Sequence, residues 1–355
     1  MPSSLRLLLL ALAAILVACG LADPARAKPK EDTGRRPVRA VAAERIEIAT
    51  EDGRGVLPIH VSADWTRPLP GVRRAVVVLH GRVRNAETYG RLVEAMLAEG
   101  GRPAAAETLV VAPQFLAPVD LAGHGLPAET LRWASGSWQA GGDALDPAPV
   151  SSFEALDAVM ARLADRALLP DLATVVIAGH SGGAQLAQRY TAAGRALAAI
   201  EAAGLRLRFV VANPASYLYF DAERPDGRGG YAVPAAEACP GYDSWRYGMR
   251  DLPRYLRGQA AQAIEARYAA REVTYLLGTE DRDPAHHSLD RSCAAMAQGP
   301  HRLARGWAYF RHLSARHPGL AGHRLVEVPG VGHDPRAMLS SACGRAALLD
   351  RPGCE

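Results

Sequence analysis

The chain has 355 residues, of which 49% are apolar, and a formal net charge of +4, which is room for one large α/β core or two modest domains. The charge is local. Residues 1–43 hold Arg6, Arg26, Lys28, Lys30, Arg35, Arg36 and Arg39 against Asp23, Glu31 and Asp32, and the remainder is neutral, so net charge gives no reason to expect a nucleic-acid partner. Lys28 and Lys30 are the only lysines, so the folded part has neither a Schiff-base lysine nor a P-loop lysine.

Residues 1–27 read as an export signal. Arg6 precedes an apolar stretch, Leu7 to Ala18, that is too short for a comfortable membrane span. Two processing sites compete. Leu16-Val17-Ala18-Cys19 resembles a bacterial lipobox, which would place a lipid on Cys19 and tether the protein to a membrane; Ala25-Arg26-Ala27 resembles an A-x-A cleavage site, which would release it. Residues 28–43 read as a flexible tether, rich in proline and charge. Four cysteines remain beyond it, Cys239, Cys293, Cys343 and Cys354, and an even number in an oxidising compartment suggests two disulfides. Spacing does not choose among the three possible pairings. The pairs expected are the local Cys343–Cys354 and Cys239–Cys293. No C-x-x-C spacing points to a metal site.

From residue 44 the chain alternates between two periods. Residues 45–48 and 56–61 read as antiparallel strands around Asp52-Gly53. The apolar run 74–79 is a buried strand, followed by a helix over 87–98 and a strand over 108–113. Phe153, Leu156, Val159, Met160 and Leu163 recur at helical spacing and predict a helix over 152–169. Strands follow at 175–178, 207–212, 273–277 and 324–328, with helices around 184–190, 258–270 and 301–317 and another after Pro335. Alternating strands and helices predict a mostly parallel sheet covered on both faces. Residues 116–150 and 215–255 break the alternation and read as lid-like insertions.

The densest chemistry lies at Gly179-His180-Ser181-Gly182-Gly183. A G-x-S-x-G sequence between a buried strand and a helix is the context of a nucleophile elbow, where a strained turn exposes the serine hydroxyl and places N–H groups at a helix N-terminus. Ser181 is the candidate nucleophile. The elbow, the order of elements and two later motifs resemble the α/β-hydrolase superfamily, of the esterase and lipase kind, over about residues 44–350.

That resemblance implies a triad in the order serine, acid, histidine. The acid falls in Gly278-Thr279-Glu280-Asp281-Arg282-Asp283, where Asp281 is expected, Asp283 is the runner-up and Glu280 is third. The general base is His333 in Gly330-Val331-Gly332-His333, after the last strand. The oxyanion donors are the backbone of Gly182 and, from the His80-Gly81-Arg82 loop, that of Arg82, or Val83 with a one-residue shift. His80 itself reads as a structural histidine, and the adjacent His286 and His287 are poor joint metal ligands. Trp133, Trp138, Tyr217 and Tyr219 either line an acyl pocket or form the core of a lid. The activity implied is cleavage of a small-molecule or polymeric carboxylic ester through an acyl-enzyme, with no metal or organic cofactor. Peptidases and acyltransferases share the triad, and a catalytically silent binding protein would share the fold.

Overall fold

A computed structural model describes residues 34–235, 237–351, 353 and 354. The export signal, the Cys19 lipobox and the cleavage site after Ala27 lie outside the described residues. Eight strands form one sheet: β1 (Glu44–Thr50), β2 (Gly53–Val61), β3 (Arg74–Leu79), β4 (Thr108–Pro113), β5 (Thr174–His180), β6 (Arg206–Ala212), β7 (Glu272–Gly278) and β8 (His323–Val328). Their spatial order is β1-β2-β4-β3-β5-β6-β7-β8. Pairing is antiparallel between β1 and β2 and between β2 and β4, and parallel from β4 through to β8.

The strand residues explain the two layers. Side chains alternate across a sheet, and both faces of the central strands are apolar. On β3, Ala75, Val77 and Leu79 enter one core while Val76 and Val78 enter the other; on β5, Val175 and Ile177 part in the same way from Val176 and Ala178. Helix α1 (Ala86–Glu99) covers one face, together with the two short helices at the C-terminus, Pro335–Ser340 and Ala342–Leu349. The other face carries α2 (Ser152–Ala164) and α3 (Gly182–Ala193).

Helix α2 starts on a capping box. Ser151 Oγ accepts from the Phe153 N–H at 3.1 Å, and the Ser151 N–H donates to Glu154 Oε2 at 2.8 Å. It ends at Ala164 and not at 169 as its sequence suggests, because Asp165 turns extended and its carboxylate accepts from the Ala167 N–H. That side-chain bond offers the backbone an alternative to the helix. Among the described residues, no helix is long and apolar enough to cross a membrane.

The tether expected over 28–43 is docked from residue 34 onward. Val38 and Ala42 are buried, the Val38 N–H donates to Asp120 at 2.8 Å and the Ala42 N–H to Gln114 at 2.7 Å. Asp120 also receives two bonds from Arg84, at 2.8 and 3.0 Å, and one from the Ala117 N–H at 2.7 Å. One buried carboxylate thus joins three chain segments. The disulfides are Cys239–Cys293 and Cys343–Cys354, bonds of the kind that persist in oxidising compartments.

Asp120→Ala strips Arg84 of its carboxylate inside the fold. It is expected to lower unfolding stability by about 3–5 kcal/mol, as when one partner of a buried ion pair is removed, and denaturant unfolding of the two proteins measures it.

Candidate active site

The site lies at the C-terminal ends of β3 and β5, where the connections diverge and open α/β sheets hold ligands. The turn after β5 is very tight. A Cβ on Gly179 would stand 2.2 Å from the Gly183 carbonyl, and one on Gly183 would stand 2.1 Å from the Leu79 carbonyl oxygen. Only glycine allows strand and helix to approach so closely. Between them Ser181 sits at φ 58° and ψ −117°, a conformation L-residues rarely adopt. Its N–H donates to the Ala212 carbonyl at 2.9 Å, which fixes the turn to β6.

Ser181 Oγ lies 2.9 Å from His333 Nε2, and His333 Nδ1 lies 2.7 Å from Asp281 Oδ2. The three side chains come from the loops after β5, β7 and β8, which the parallel order sets side by side. Asp281 is 3% exposed, and its second oxygen accepts from Arg302 Nη1 at 3.1 Å. Burial opposes its charge, but the bonds and charges of His333 and Arg302 hold its carboxyl below the ordinary value. Burial pushes the His333 imidazole below its ordinary value, with the Arg302 charge adding to the push and the Asp281 bond resisting it. Asp283 and Glu280 are exposed and turn away: Asp283 caps the Ala285 N–H and Glu280 pairs with Arg282.

The loop after β3 is held by His80. Its Nε2 accepts from the Phe115 N–H at 3.0 Å, and its Nδ1 donates to the Gly81 carbonyl at 2.8 Å. Burial pushes His80 down to about 4, so it is a neutral strut. The Arg82 backbone nitrogen reaches within 3.3 Å of the point that a Gly182 Cβ would occupy. Val83 is 60% exposed and stands on the rim.

A cavity of about 230 Å³ opens over Ser181, walled by Arg82, Tyr89, His180, His286, His287 and Ser288. Among the described residues, none of those that line it bears a carboxylate. Past Val83 and Asn85 a groove of about 650 Å³ continues along Arg36, Arg39, Arg84, Arg91 and Glu87. Away from the cavity, Asp221, Glu223 and His312 bring three ligand atoms together, but Asp221 is already paired with His312 and Arg316.

Of the two readings of Trp133, Trp138, Tyr217 and Tyr219, the pocket wall is not the one the fold adopts. Trp138 stacks on Phe115, with ring centroids 5.3 Å apart, and meets the His80 ring edge at 4.7 Å. Trp133 is fully buried beside Phe115. Tyr217 stacks on Tyr309 at 4.6 Å, and Tyr219 meets the same ring at 5.1 Å. All are core residues, and so the start of the 215–255 stretch packs inward where a lid was expected. Its backbone is fastened by buried amides: Gln188 bonds both the N–H and the carbonyl of Leu218, and Gln298 does the same for Tyr217.

Sequence reasoning missed Arg302, Ser288 and the cavity role of His286 and His287. The adjacent histidines drew attention only as metal ligands, and nothing in the sequence marks an arginine at a helix start as the partner of a distant carboxylate.

Residues 76–347 match the description of the Alpha/beta hydrolase family. In structure the chain is similar to poly(aspartic acid) hydrolase-1 from Sphingomonas sp. KT-1, at 23% identity and a TM-score of 0.55, over 85% of this chain and 96% of that one. It is also similar to LpqC, a poly(3-hydroxybutyrate) depolymerase from Bordetella parapertussis, at 22% identity and a TM-score of 0.57, over 88% of this chain and 91% of that one. No curated protein is significantly similar in sequence. By its sheet order, its elbow and this match over most of its length, the chain belongs to the alpha/beta hydrolase family.

Proposed function

We propose that the protein is an exported serine hydrolase that cleaves carboxylic esters through an acyl-enzyme on Ser181. The observation that supports it most is the continuous hydrogen-bond relay from Asp281 through His333 to Ser181, at 2.7 and 2.9 Å. His333 Nε2 takes the hydroxyl proton as Oγ attacks the carbonyl carbon. The N–H groups of Gly182 and Arg82 receive the oxyanion, each donor of this kind being worth about 3 kcal/mol to the transition state. When the tetrahedral adduct collapses, the same proton passes to the departing alcohol. Water then gives His333 a proton, attacks the acyl carbon and releases the acid, and Ser181 regains its hydrogen. Asp281 stays ionised throughout and holds the imidazole in the tautomer that this requires.

The cavity of about 230 Å³ is smaller than the ~300–1,000 Å³ of sites for drug-sized ligands, which favours a short acyl group. Its walls and the adjoining groove carry arginine and histidine, which favours neutral or anionic substrates over cationic ones. In the same reading the chain is exported and held by a lipid on Cys19. The mass of the mature N-terminus tests this: a diacylated Cys19 is expected, and a chain beginning at Lys28 overturns it.

A fluorophosphonate probe is expected to label the wild type but neither Ser181→Ala nor His333→Ala, and p-nitrophenyl acetate and butyrate should turn over faster than the decanoate. Failure of the folded wild type to label would leave a silent binding protein of the same fold. The pH profile carries a second expectation. The base works only when neutral, and His333 is held below its ordinary 6.5, so kcat/KM should rise with pH through an inflection under 6.5 and then level off. An inflection at or above 6.5 would mean that the Asp281 bond outweighs burial at His333, and a rate that does not change with pH between about 5 and 8 counts against His333 as the base.

A further inference from the structure

We infer that the substrate is an ester that also carries a carboxylate, which the Arg82 guanidinium holds beside Ser181, while Arg39 serves the part of the substrate that continues into the groove. The inference rests on the serine hydrolase reading above and narrows its substrates from neutral or anionic esters to anionic ones.

The first observation is the shape of the cleft. The cavity over Ser181 measures about 230 Å³ and the groove beside it about 650 Å³, and Val83 and Asn85 stand in the wall of both. A substrate larger than the cavity has this way out. Val83, 60% exposed, offers it apolar contact at the junction. Arg82 lines the cavity and Arg39 lines the groove, so a cation stands on each side of that junction.

The second is that the carboxylates around the cleft are already engaged. Glu87 pairs with Arg91 at 2.6 Å and Asp120 with Arg84 at 2.8 Å. Asp281 is shared by His333 and Arg302, and Asp334, next to the cavity residue Pro335, accepts from the Ala337 N–H at 2.6 Å. Among the described residues, Arg39 and Arg82 pair with no carboxylate; Arg39 is exposed and Arg82 half-buried. The Arg82 charge reaches inward, since it weighs against that of Arg302. Arg302 in turn bonds Asp281 and Ser288, and Ser288 stands in the cavity wall.

The third is that the charge is permanent. Burial holds the His180 and His333 rings below their ordinary value and pushes His286 down to about 4, so these cavity imidazoles are neutral at pH 7. Arg82 supplies the fixed charge. A guanidinium stays ionised at every working pH, and its planar fork matches a carboxylate with two parallel bonds. Attraction between opposite charges is stronger in a half-buried cleft than in water. A neutral ester displaces water from Arg82 and gives it no partner, whereas an anionic ester pairs it.

The test measures kcat/KM on two pairs of esters, each pair differing in one charge. 4-Acetoxybenzoate against 4-acetoxybenzamide places the carboxylate on the alcohol side, and mono-p-nitrophenyl glutarate against p-nitrophenyl pentanoate places it on the acyl side. In at least one pair the anionic ester should be favoured by about tenfold or more at low salt, as in a cleft lined by one sign of charge. The preference should shrink to within about threefold at about 0.5 M salt, where exposed charges are screened beyond a few ångströms. Arg82→Gln and Arg39→Gln should each lower the anionic-to-neutral ratio by about threefold or more, Arg82→Gln the further. The ratio isolates the guanidinium, because the Arg82 main-chain N–H remains and any disturbance of the loop slows both esters of a pair alike. Neutral esters turned over as fast as their anionic partners in both pairs overturn the inference, and so does a preference that either high salt or Arg82→Gln leaves intact. If no ester of either charge is hydrolysed and Ser181 takes no fluorophosphonate, it is the serine hydrolase reading that fails.

Discussion

The site depends on one strained residue, Ser181, held at φ 58° between a buried strand and a buried helix. Sparsely populated backbone conformations cost of order 1–3 kcal/mol and persist only where the surroundings overdetermine them. Here the surroundings are the centre of the sheet. Strand β5 lies between β3 and β6, every residue of α3 is buried, and Gly179 touches Gly183 with no room for a methyl. The turn cannot relax without separating the helix from the strand. The tightly packed centre of the sheet therefore carries the proposed nucleophile, and the mobile tip that a surface loop would give is excluded by packing.

A second constraint is cationic. With its only lysines at positions 28 and 30, the fold uses guanidinium groups wherever several acceptors must be tied together, and their planar fork suits that task better than a point charge. Arg189 is completely buried and, among the described residues, pairs with no carboxylate; it bonds the carbonyls of Gln139 and Arg246 and the side chains of Gln185 and Ser216. Burial lowers its pKa to about 9, so the group remains charged at neutral pH. Arg302 does for Asp281 and Ser288 what Arg189 does for the 116–150 excursion. These residues fasten irregular segments to the regular core.

Much of this was legible in the sequence because local pattern and global fold agree. The apolar runs of β3 and β5 can only be strands buried on both sides, and the glycines around Ser181 make sense only at a close approach. Asp281 and His333 were reached through the family resemblance, and the parallel sheet brings the loops after β5, β7 and β8 that carry Ser181, Asp281 and His333 to one end. What failed to be legible was the direction of side chains in the irregular stretches. Trp138, Tyr217 and Tyr219 are as apolar facing inward as facing a ligand, and sequence has no periodicity there to decide. The docked segment from residue 34 was hidden for a related reason: two small buried side chains, Val38 and Ala42, make no pattern, and the backbone bonds to Asp120 and Gln114 leave no trace in composition.

The same irregular stretches close a structural circuit around the reacting atoms. The Cys239–Cys293 disulfide joins the 215–255 excursion to the segment after β7. That segment supplies His286, His287 and Ser288 to the cavity wall. Ser288 accepts from Arg302, Arg302 donates to Asp281, and Asp281 holds His333. On the opposite side Trp245, from the same 215–255 excursion, donates to Ala140 beside Gln139. One excursion thus bears on Asp281 through Arg302 and on the 138–140 turn through Trp245. Electrostatic stabilisation of a developing charge is strongest when dipoles need not reorient as the charge appears, and a closed circuit of this kind resists reorientation. The excursions are therefore better understood as the frame that holds Asp281 and the His333 imidazole in place than as covers that open and shut.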